Sequence, residues 1–168
     1  VLIKIQKPIK SKSPFFLYFS LYGVHAPLME DNRFVEKYKN IGIENPEIKY
    51  ASMIESMDYA LGIVLDELKK KDILKNTIIV FMSDNGGLSA VARGGQKHQH
   101  NYPLKSGKGS IYEGGIRVPM IVYSPFHKTN VKEIDQPVII EDFFPSILEL
   151  TNSKKSSIVQ EIDGQSFI

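Results

Sequence analysis

The chain places a carboxylate beside an amide at the end of an apolar run, in Asp84-Asn85-Gly86-Gly87. Both side chains present hard oxygen donors, which are the ligands that Ca²⁺ and Mg²⁺ prefer. The same four residues are also typical of a simple turn, because Asx residues and glycine dominate turns. Both interpretations stay open on this motif alone, although a carboxylate that ends a strand of an α/β sheet favours a ligand site.

Two basic side chains are candidates for binding or protonating an anionic substrate. His25 can hold an anionic group or give a proton to a leaving oxygen, since histidine changes charge near neutral pH. Lys108 lies between Gly107 and Gly109, which let main chain and ammonium approach a phosphate or sulfate closely. The glycine spacing is not that of a Walker loop. Taken singly, a hydrogen-bonded loop histidine and a solvated lysine are the commoner interpretations.

Three apolar runs and one long helix are predicted to position these residues. Residues 15–20, 77–83 and 120–124 are typical of strands buried on both faces. Apolar residues recur at helical spacing over residues 48–71, and a further helix begins near Asp142, which suits an N-cap. A helix between two buried strands indicates a βαβ unit, so we expect an α/β fold with a mostly parallel sheet flanked by helices. The candidate residues then follow or precede strand ends and could face one crevice.

The composition excludes several classes of protein. With 168 residues, the chain has the length of one ordinary domain, and its 42% hydrophobic and 24% charged residues exclude a disordered or low-complexity segment. A formal net charge of +2 is too balanced for a dedicated nucleic-acid binder. No apolar run approaches the roughly 20 residues that cross a bilayer. The absence of cysteine excludes disulfides and thiolate nucleophiles within these residues.

Taken together, these segments resemble the sulfatase family, of the arylsulfatase type within the alkaline-phosphatase-like superfamily. The most specific part is the block with Gly107-Lys108-Gly109, Glu113-Gly114-Gly115, Arg117 and Pro119. The resemblance covers nearly the whole chain, with matching stretches in family order at residues 14–18, 25–27, 50–58, 77–87, 103–110, 112–119, 142–150 and 163–166.

The resemblance implies a role for each candidate residue. It implies that Asp84 and Asn85 are two ligands of an active-site divalent cation, usually Ca²⁺ in this family. His25 corresponds to the histidine that contacts the sulfate group and protonates the departing alcohol. Lys108 corresponds to the lysine that binds the sulfate and leaving-group oxygens. Further candidates for contact with the substrate are Lys105, which stands where many relatives have Arg, and Arg93, His98 and His100 in the loop over residues 87–102.

The chain departs from the family at the nucleophile. That residue is a Cys or Ser in a Cys/Ser-x-Pro/Ala-x-Arg motif, oxidised to formylglycine, and neither the motif nor the family's early pair of aspartate metal ligands occurs here. The chain begins with Val1, without the order of a signal peptide. We therefore expect residues 1–168 to be a partial sulfatase catalytic domain that is inactive alone. The nucleophile-bearing part, its formylglycine and a C-terminal subdomain are expected in the parent protein.

Three hypotheses for function follow. The first is that the intact parent hydrolyses aryl or carbohydrate sulfates with a divalent cation, and that this chain supplies half of the metal and sulfate site. The second is a phosphodiesterase or phosphonate hydrolase of the same superfamily. The third is a non-catalytic domain that binds a sulfated glycan or a partner protein. The expected partner is a sulfated small molecule or glycan rather than nucleic acid, and the resemblance implies a periplasmic or secreted parent.

Overall fold

The computed structural model describes residues 2–43, 45–88, 100–126, 133–153 and 158–168, which form two compact units, Val1–Lys128 and Thr129–Ile168. The elements of the first unit, in chain order, are helices α1 (Leu2–Ser11), α2 (Val35–Lys39) and α3 (Asn45–Lys70), strand β1 (Ile79–Met82), the short helix α4 (Glu113–Ile116) and strand β2 (Met120–Tyr123). The second unit contains helix α5 (Phe143–Leu150).

Helix α3 is the central element of the first unit and confirms the helix predicted over residues 48–71. Tyr50 and Leu68, near its two ends, belong to the small buried core, whereas Ile54 of the predicted apolar stripe is 41% exposed. The helix α2 packs along α3, and Val35 contributes the main buried side chain of that contact. Lys69 and Lys70 lie in the last turn of α3, where positive charge is favourable to the helix dipole.

The sheet differs from the predicted arrangement. Among the residues that the structure describes, it consists of β1 and β2, which pair antiparallel with Ile79 opposite Tyr123 and Met82 opposite Met120. The strand predicted over residues 15–20 is wrong, because a strand needs a partner for its main-chain groups and no described residue supplies one. Phe16 is 79% exposed, so the predicted burial on both faces and the βαβ unit are absent from the described chain.

The second unit is organised around Asp142. The predicted helix is present as α5, but Asp142 has helical backbone angles and caps no residue of α5 with its side chain. Its carboxylate instead accepts the main-chain N–H groups of Ile139 at 3.0 Å and Gln165 at 2.8 Å, which lowers its pKa. Ser146 Oγ accepts the N–H of Phe167 at 3.0 Å, and the Phe167 ring packs edge-on against Phe143. These contacts hold the last residues of the chain against α5.

The loop before α2 offers a test by pH. Arg33 donates to both carboxylate oxygens of Asp31, at 2.6 to 3.2 Å, and these hydrogen bonds hold the Asp31 pKa well below its usual value. A lowered folded-state pKa stabilises the protein above the unfolded pKa of about 3.9, and this contribution disappears as pH falls towards the folded-state value. We expect Asp31→Asn to lower the urea midpoint of the intact protein at pH 7 and to have less effect at pH 2.5, inside the window between the two pKa values. The control is Asp66→Asn, on the exposed face of α3, and an equal loss at both pH values would contradict the prediction.

Candidate active site

Residues 84–87 leave the end of β1 with their oxygen donors available. The Asp84 side chain is exposed and makes no hydrogen bond or ion pair with any other described residue. Asn85 donates from Nδ2 to the Gly86 carbonyl at 3.0 Å, and its Oδ1 has no hydrogen-bond partner in the described ranges. Ser83 Oγ donates to the Asn85 carbonyl at 2.8 Å and fixes the turn. The loop therefore presents one carboxylate and one amide oxygen.

Main-chain hydrogen bonds tie this loop to two others. The Gly86 N–H donates to the Gly115 carbonyl at 2.9 Å, and the Lys108 N–H donates to the Gly87 carbonyl at 2.8 Å. The Gly114 N–H donates to the Lys105 carbonyl at 2.9 Å. The segment at Gly86 and Gly87 is thus cross-linked through its backbone to two later segments, at residues 105–108 and 114–115.

Glycine allows these segments to approach each other so closely. We call Gly86, Gly87, Gly107, Gly114 and Gly115 the glycine cluster. A Cβ atom on Gly86 would lie 1.8 Å from the Gly114 carbonyl oxygen, and one on Gly114 would lie 2.3 Å from the Ser106 carbonyl oxygen. Contacts this short with main-chain atoms cannot be relieved by rotating a side chain. The glycines recognised in the sequence as loop residues are therefore packing residues.

Asn101 joins the same assembly through its side chain. Its Oδ1 accepts the Gly87 N–H at 2.9 Å, and its Nδ2 donates to the carbonyls of Gly87 at 3.1 Å and Ser106 at 3.0 Å. Sequence analysis did not single out this residue, because asparagine between loop residues is ordinary and its partners lie as far as 14 positions away. The only signal in the sequence is the set of glycines on both sides of Asn101, which allow main-chain segments to approach each other closely.

The two lysines of the assembly differ in what they contact. Lys108 is half-buried, and its ammonium makes no ion pair or hydrogen bond with any other described residue. The Lys105 ammonium lies 4.0 Å from the centroid of the Tyr112 ring, a cation–π contact. Lys108 therefore keeps its positive charge free for a ligand, whereas Lys105 shares its charge with an aromatic face.

His25 lies on a separate loop. Its Nδ1 is 2.6 Å from the carbonyl oxygen of Ala26, and its ring leans on Tyr22 with the centroids 5.1 Å apart. Because a carbonyl can only accept, Nδ1 carries the proton in this contact. Nε2 then accepts a proton when the ring is neutral and donates one when it is charged, which suits proton transfer to a leaving oxygen.

The His25 loop and the glycine cluster contact the same part of α3. A Cβ on Gly23 would lie 4.0 Å from the Met53 carbonyl oxygen, and one on Gly87 would lie 3.4 Å from the Tyr50 hydroxyl. Tyr50 and Met53 are neighbours one turn apart on the helix. The structure thus joins Asp84, Asn85, Lys105 and Lys108 on cross-linked loops and brings the His25 loop to the adjoining turn of α3. No direct contact between His25 and those four is present among the described residues.

The remaining candidates follow Leu88 in the sequence. Arg93 and His98 lie outside the described residues. The His100 ring stacks on Tyr50 with the centroids 4.1 Å apart, and its Nε2 lies 2.5 Å from a carboxylate oxygen of Glu47 in the first turn of α3. These contacts anchor His100, and with it Asn101, to the start of α3.

The donor set fits part of a divalent-cation site. Asp84 supplies a charged oxygen and Asn85 a neutral one, both uncommitted in the described chain, and such donors suit a hard cation. Within the described ranges, no group of three or more His, Asp or Glu residues could hold a metal by itself. Two ligands are fewer than the six to eight oxygens that Ca²⁺ takes. A cation held by Asp84 and Asn85 would therefore need further oxygen ligands from other residues.

The chain is similar to known sulfatases. The sulfatase family model matches residues 2–153. A sulfatase of Formosa agariphila is 35% identical over 94% of this chain and 30% of its own length, and mouse arylsulfatase J is 35% identical over 90% of this chain and 24% of its length. Mouse N-acetylgalactosamine-6-sulfatase is 33% identical over 95% of the chain and 29% of its length.

The solved structures give the same answer for the fold. Ps i-CgsB, determined alone and in complex with k-i-k-neocarrahexaose, superposes with a TM-score of 0.83 at 36% identity, over 98% of this chain and 35% of that protein. Together with the family match, this confirms the predicted alkaline-phosphatase-like α/β class. The chain spans between about a quarter and about a third of the length of these relatives. None of its described helices is long and apolar enough to span a membrane. This chain belongs to the sulfatase family.

Proposed function

We propose that the protein containing this chain hydrolyses sulfate esters of aryl or carbohydrate alcohols, and that residues 1–168 are part of its catalytic domain. The observation that carries the proposal is the hydrogen bond from the Lys108 N–H to the Gly87 carbonyl, 2.8 Å long. This bond joins the lysine segment to the loop of Asp84 and Asn85 in a chain that matches the sulfatase family. The nucleophile-bearing part and a C-terminal subdomain would come from outside these residues.

Asp84 and Asn85 would hold the divalent cation, with calcium as the proposed metal. The cation, when bound, supplies a fixed positive charge beside the sulfate group. The support is the pair of uncommitted hard oxygens at the end of β1. The other ligands, together with the formylglycine nucleophile, would come from the rest of the parent.

Lys108 would stabilise the negative charge that develops in the reaction, and His25 would donate the proton. The Lys108 ammonium would bind sulfate oxygens and the leaving-group oxygen, where negative charge develops as the S–O bond breaks. Charged His25 would donate from Nε2 to the departing alcohol, because its Nδ1 is engaged with Ala26. The His25 ring is held by the Ala26 carbonyl, and the main chain of Lys108 is fixed by the Gly87 carbonyl.

The rest of the substrate would meet the loops around this centre. Lys105, Arg93, His98 and His100 are the proposed contact residues, and the proposed partner is a sulfated small molecule or glycan. Carbohydrate sulfates are favoured because Ps i-CgsB, which is similar over 98% of this chain, is known in complex with k-i-k-neocarrahexaose. A periplasmic or secreted location for the parent belongs to the same proposal.

A comparison of two chromogenic esters tests the function. We expect the purified intact protein, with calcium present, to hydrolyse 4-nitrophenyl sulfate faster than 4-nitrophenyl phosphate, measured as kcat/KM. A strong preference for phosphate would contradict the proposal in favour of a phosphodiesterase or phosphonate hydrolase. Failure to hydrolyse either ester, in a protein that binds a sulfated oligosaccharide, would favour a non-catalytic binding domain.

A further inference from the structure

We propose that Asn101 is a positioning residue that keeps the Asp84–Asn85 loop in register with Lys108. This inference rests on the proposed function, since it concerns the site that would hold cation and sulfate. Asn101 touches neither of these groups in the proposal. It acts through Gly87, the residue that follows the loop and receives the Lys108 N–H.

Two of the three hydrogen bonds of the Asn101 side chain are made with Gly87, and the third is made with Ser106. Gly87 both donates to Asn101 Oδ1, at 2.9 Å, and accepts from Nδ2, at 3.1 Å. The second proton of Nδ2 reaches the Ser106 carbonyl at 3.0 Å, two residues before Lys108. One side chain therefore connects the cation loop to the start of the lysine segment.

The space around Asn101 is too tight for a substitute of another shape. A Cβ on Gly107 would lie 2.7 Å from Asn101 Nδ2, and one on Gly87 would lie 2.8 Å from Oδ1. The amide thus packs directly against two glycine backbones. Its own position is set by the preceding His100, which stacks on Tyr50 of α3.

The amide chemistry is as specific as the shape. An amide offers an acceptor and two donors on one planar group, and the Asn101 contacts use all of these. Aspartate at this position keeps the size but replaces the donors by an oxygen that repels the carbonyls of Gly87 and Ser106. Alanine removes every contact and leaves partly buried main-chain groups unpaired.

The loss of a residue that orients metal ligands typically lowers metal affinity or activity by roughly 10- to 100-fold. A structural residue has a different signature, because it lowers the folded fraction and leaves the properties of each folded molecule unchanged. Calcium affinity per folded molecule therefore distinguishes positioning from structural support. Protection of the Gly87 and Lys108 amides from hydrogen exchange reports the geometry without any activity.

The experiment uses the intact parent protein with Asn101→Asp, Asn101→Ala and the control Asn40→Ala. Asn40 is exposed and follows α2, and the hydrogen bond it makes there comes from its main chain. We measure calcium affinity by calorimetry, exchange of the two amides by mass spectrometry, thermal unfolding, and kcat and KM for 4-nitrophenyl sulfate.

We expect both Asn101 variants to weaken calcium binding by roughly 10- to 100-fold, to lower kcat more than they raise KM, and to lose amide protection at Lys108. Protection at Gly87 should be lost in Asn101→Ala, which removes the acceptor of the Gly87 N–H. The control should match the wild type. Asn101 variants that keep wild-type calcium affinity and amide protection per folded molecule would overturn the inference, even if they unfold more readily. If the wild type hydrolyses no sulfate ester, the proposed function fails, while calcium affinity and amide protection still decide the role of Asn101.

Discussion

Replacement of Lys108 by alanine is expected to lower kcat/KM for 4-nitrophenyl sulfate by about 10²- to 10³-fold in the intact protein, the loss typical of removing one preorganised charge-stabilising donor. The physical reason is that the ammonium has no charge partner among the described residues, while the main chain of Lys108 is fixed by the bond from its N–H to the Gly87 carbonyl. No described ion pair has to break before the ammonium meets the negative charge that develops. The measurement is steady-state kinetics with saturating calcium.

The matched control for this variant is Lys75→Ala. Lys75 is an exposed lysine that pairs with Asp72 after α3, away from the candidate site. Surface ion pairs of this kind contribute little, so its kcat/KM should stay within a few-fold of the wild type. Undiminished turnover in Lys108→Ala would remove the role assigned to Lys108 and leave the family assignment intact.

Gly86→Ala is expected to be the most damaging single-methyl change in the site. The new Cβ would lie 1.8 Å from the Gly114 carbonyl oxygen and 2.9 Å from the Gly115 Cα, so the two backbones must separate. Separation breaks the 2.9 Å hydrogen bond from the Gly86 N–H to the Gly115 carbonyl. Overpacking of this kind costs about 1–3 kcal/mol or more, so we expect a lower thermal midpoint and loss of calcium binding and activity.

Gly62→Ala is the control that adds the same methyl group elsewhere. Gly62 lies inside α3, and its added Cβ would meet no atom within 4 Å. Alanine in a helix interior is favoured over glycine by about 0.5–1 kcal/mol, so this variant should unfold at an equal or higher temperature. If both variants were equally stable and equally active, close backbone packing in the glycine cluster would be disproved.

Local patterns predicted α3, α5, β1 and β2, but they missed α1 and did not predict how the strands pair. Helix α3 follows from apolar spacing over residues 48–71, and β1 and β2 follow from two short apolar runs. The run over residues 15–20 has the same composition as those strands, but a strand exists only where another segment accepts its hydrogen bonds. Partner choice is a non-local property, and single-segment periodicity carries no information about it.

In the candidate site, too, the sequence indicated individual residues but not the contacts between distant segments. Residue chemistry and motif order brought Asp84, Asn85, His25 and Lys108 to notice, and their proposed roles still await the experiments above. Asn101 went unnoticed because its importance lies in three contacts with main-chain atoms of other segments. Such contacts depend on where the backbone runs, and main-chain partners leave no residue-type signal in the sequence.

The backbone cross-links of the glycine cluster also bear on how such a protein can diversify. Because Gly86 bonds to Gly115 and Lys108 to Gly87 through peptide groups, and the Asn101 amide adds three bonds to main-chain atoms, the relative placement of these segments does not depend on the exposed side chains around them. Exposed positions around them, such as Tyr102 and Ile111, can then change identity at little cost to the shared frame. A fixed frame surrounded by freely variable side chains would let new substrate preferences arise without loss of the underlying reaction.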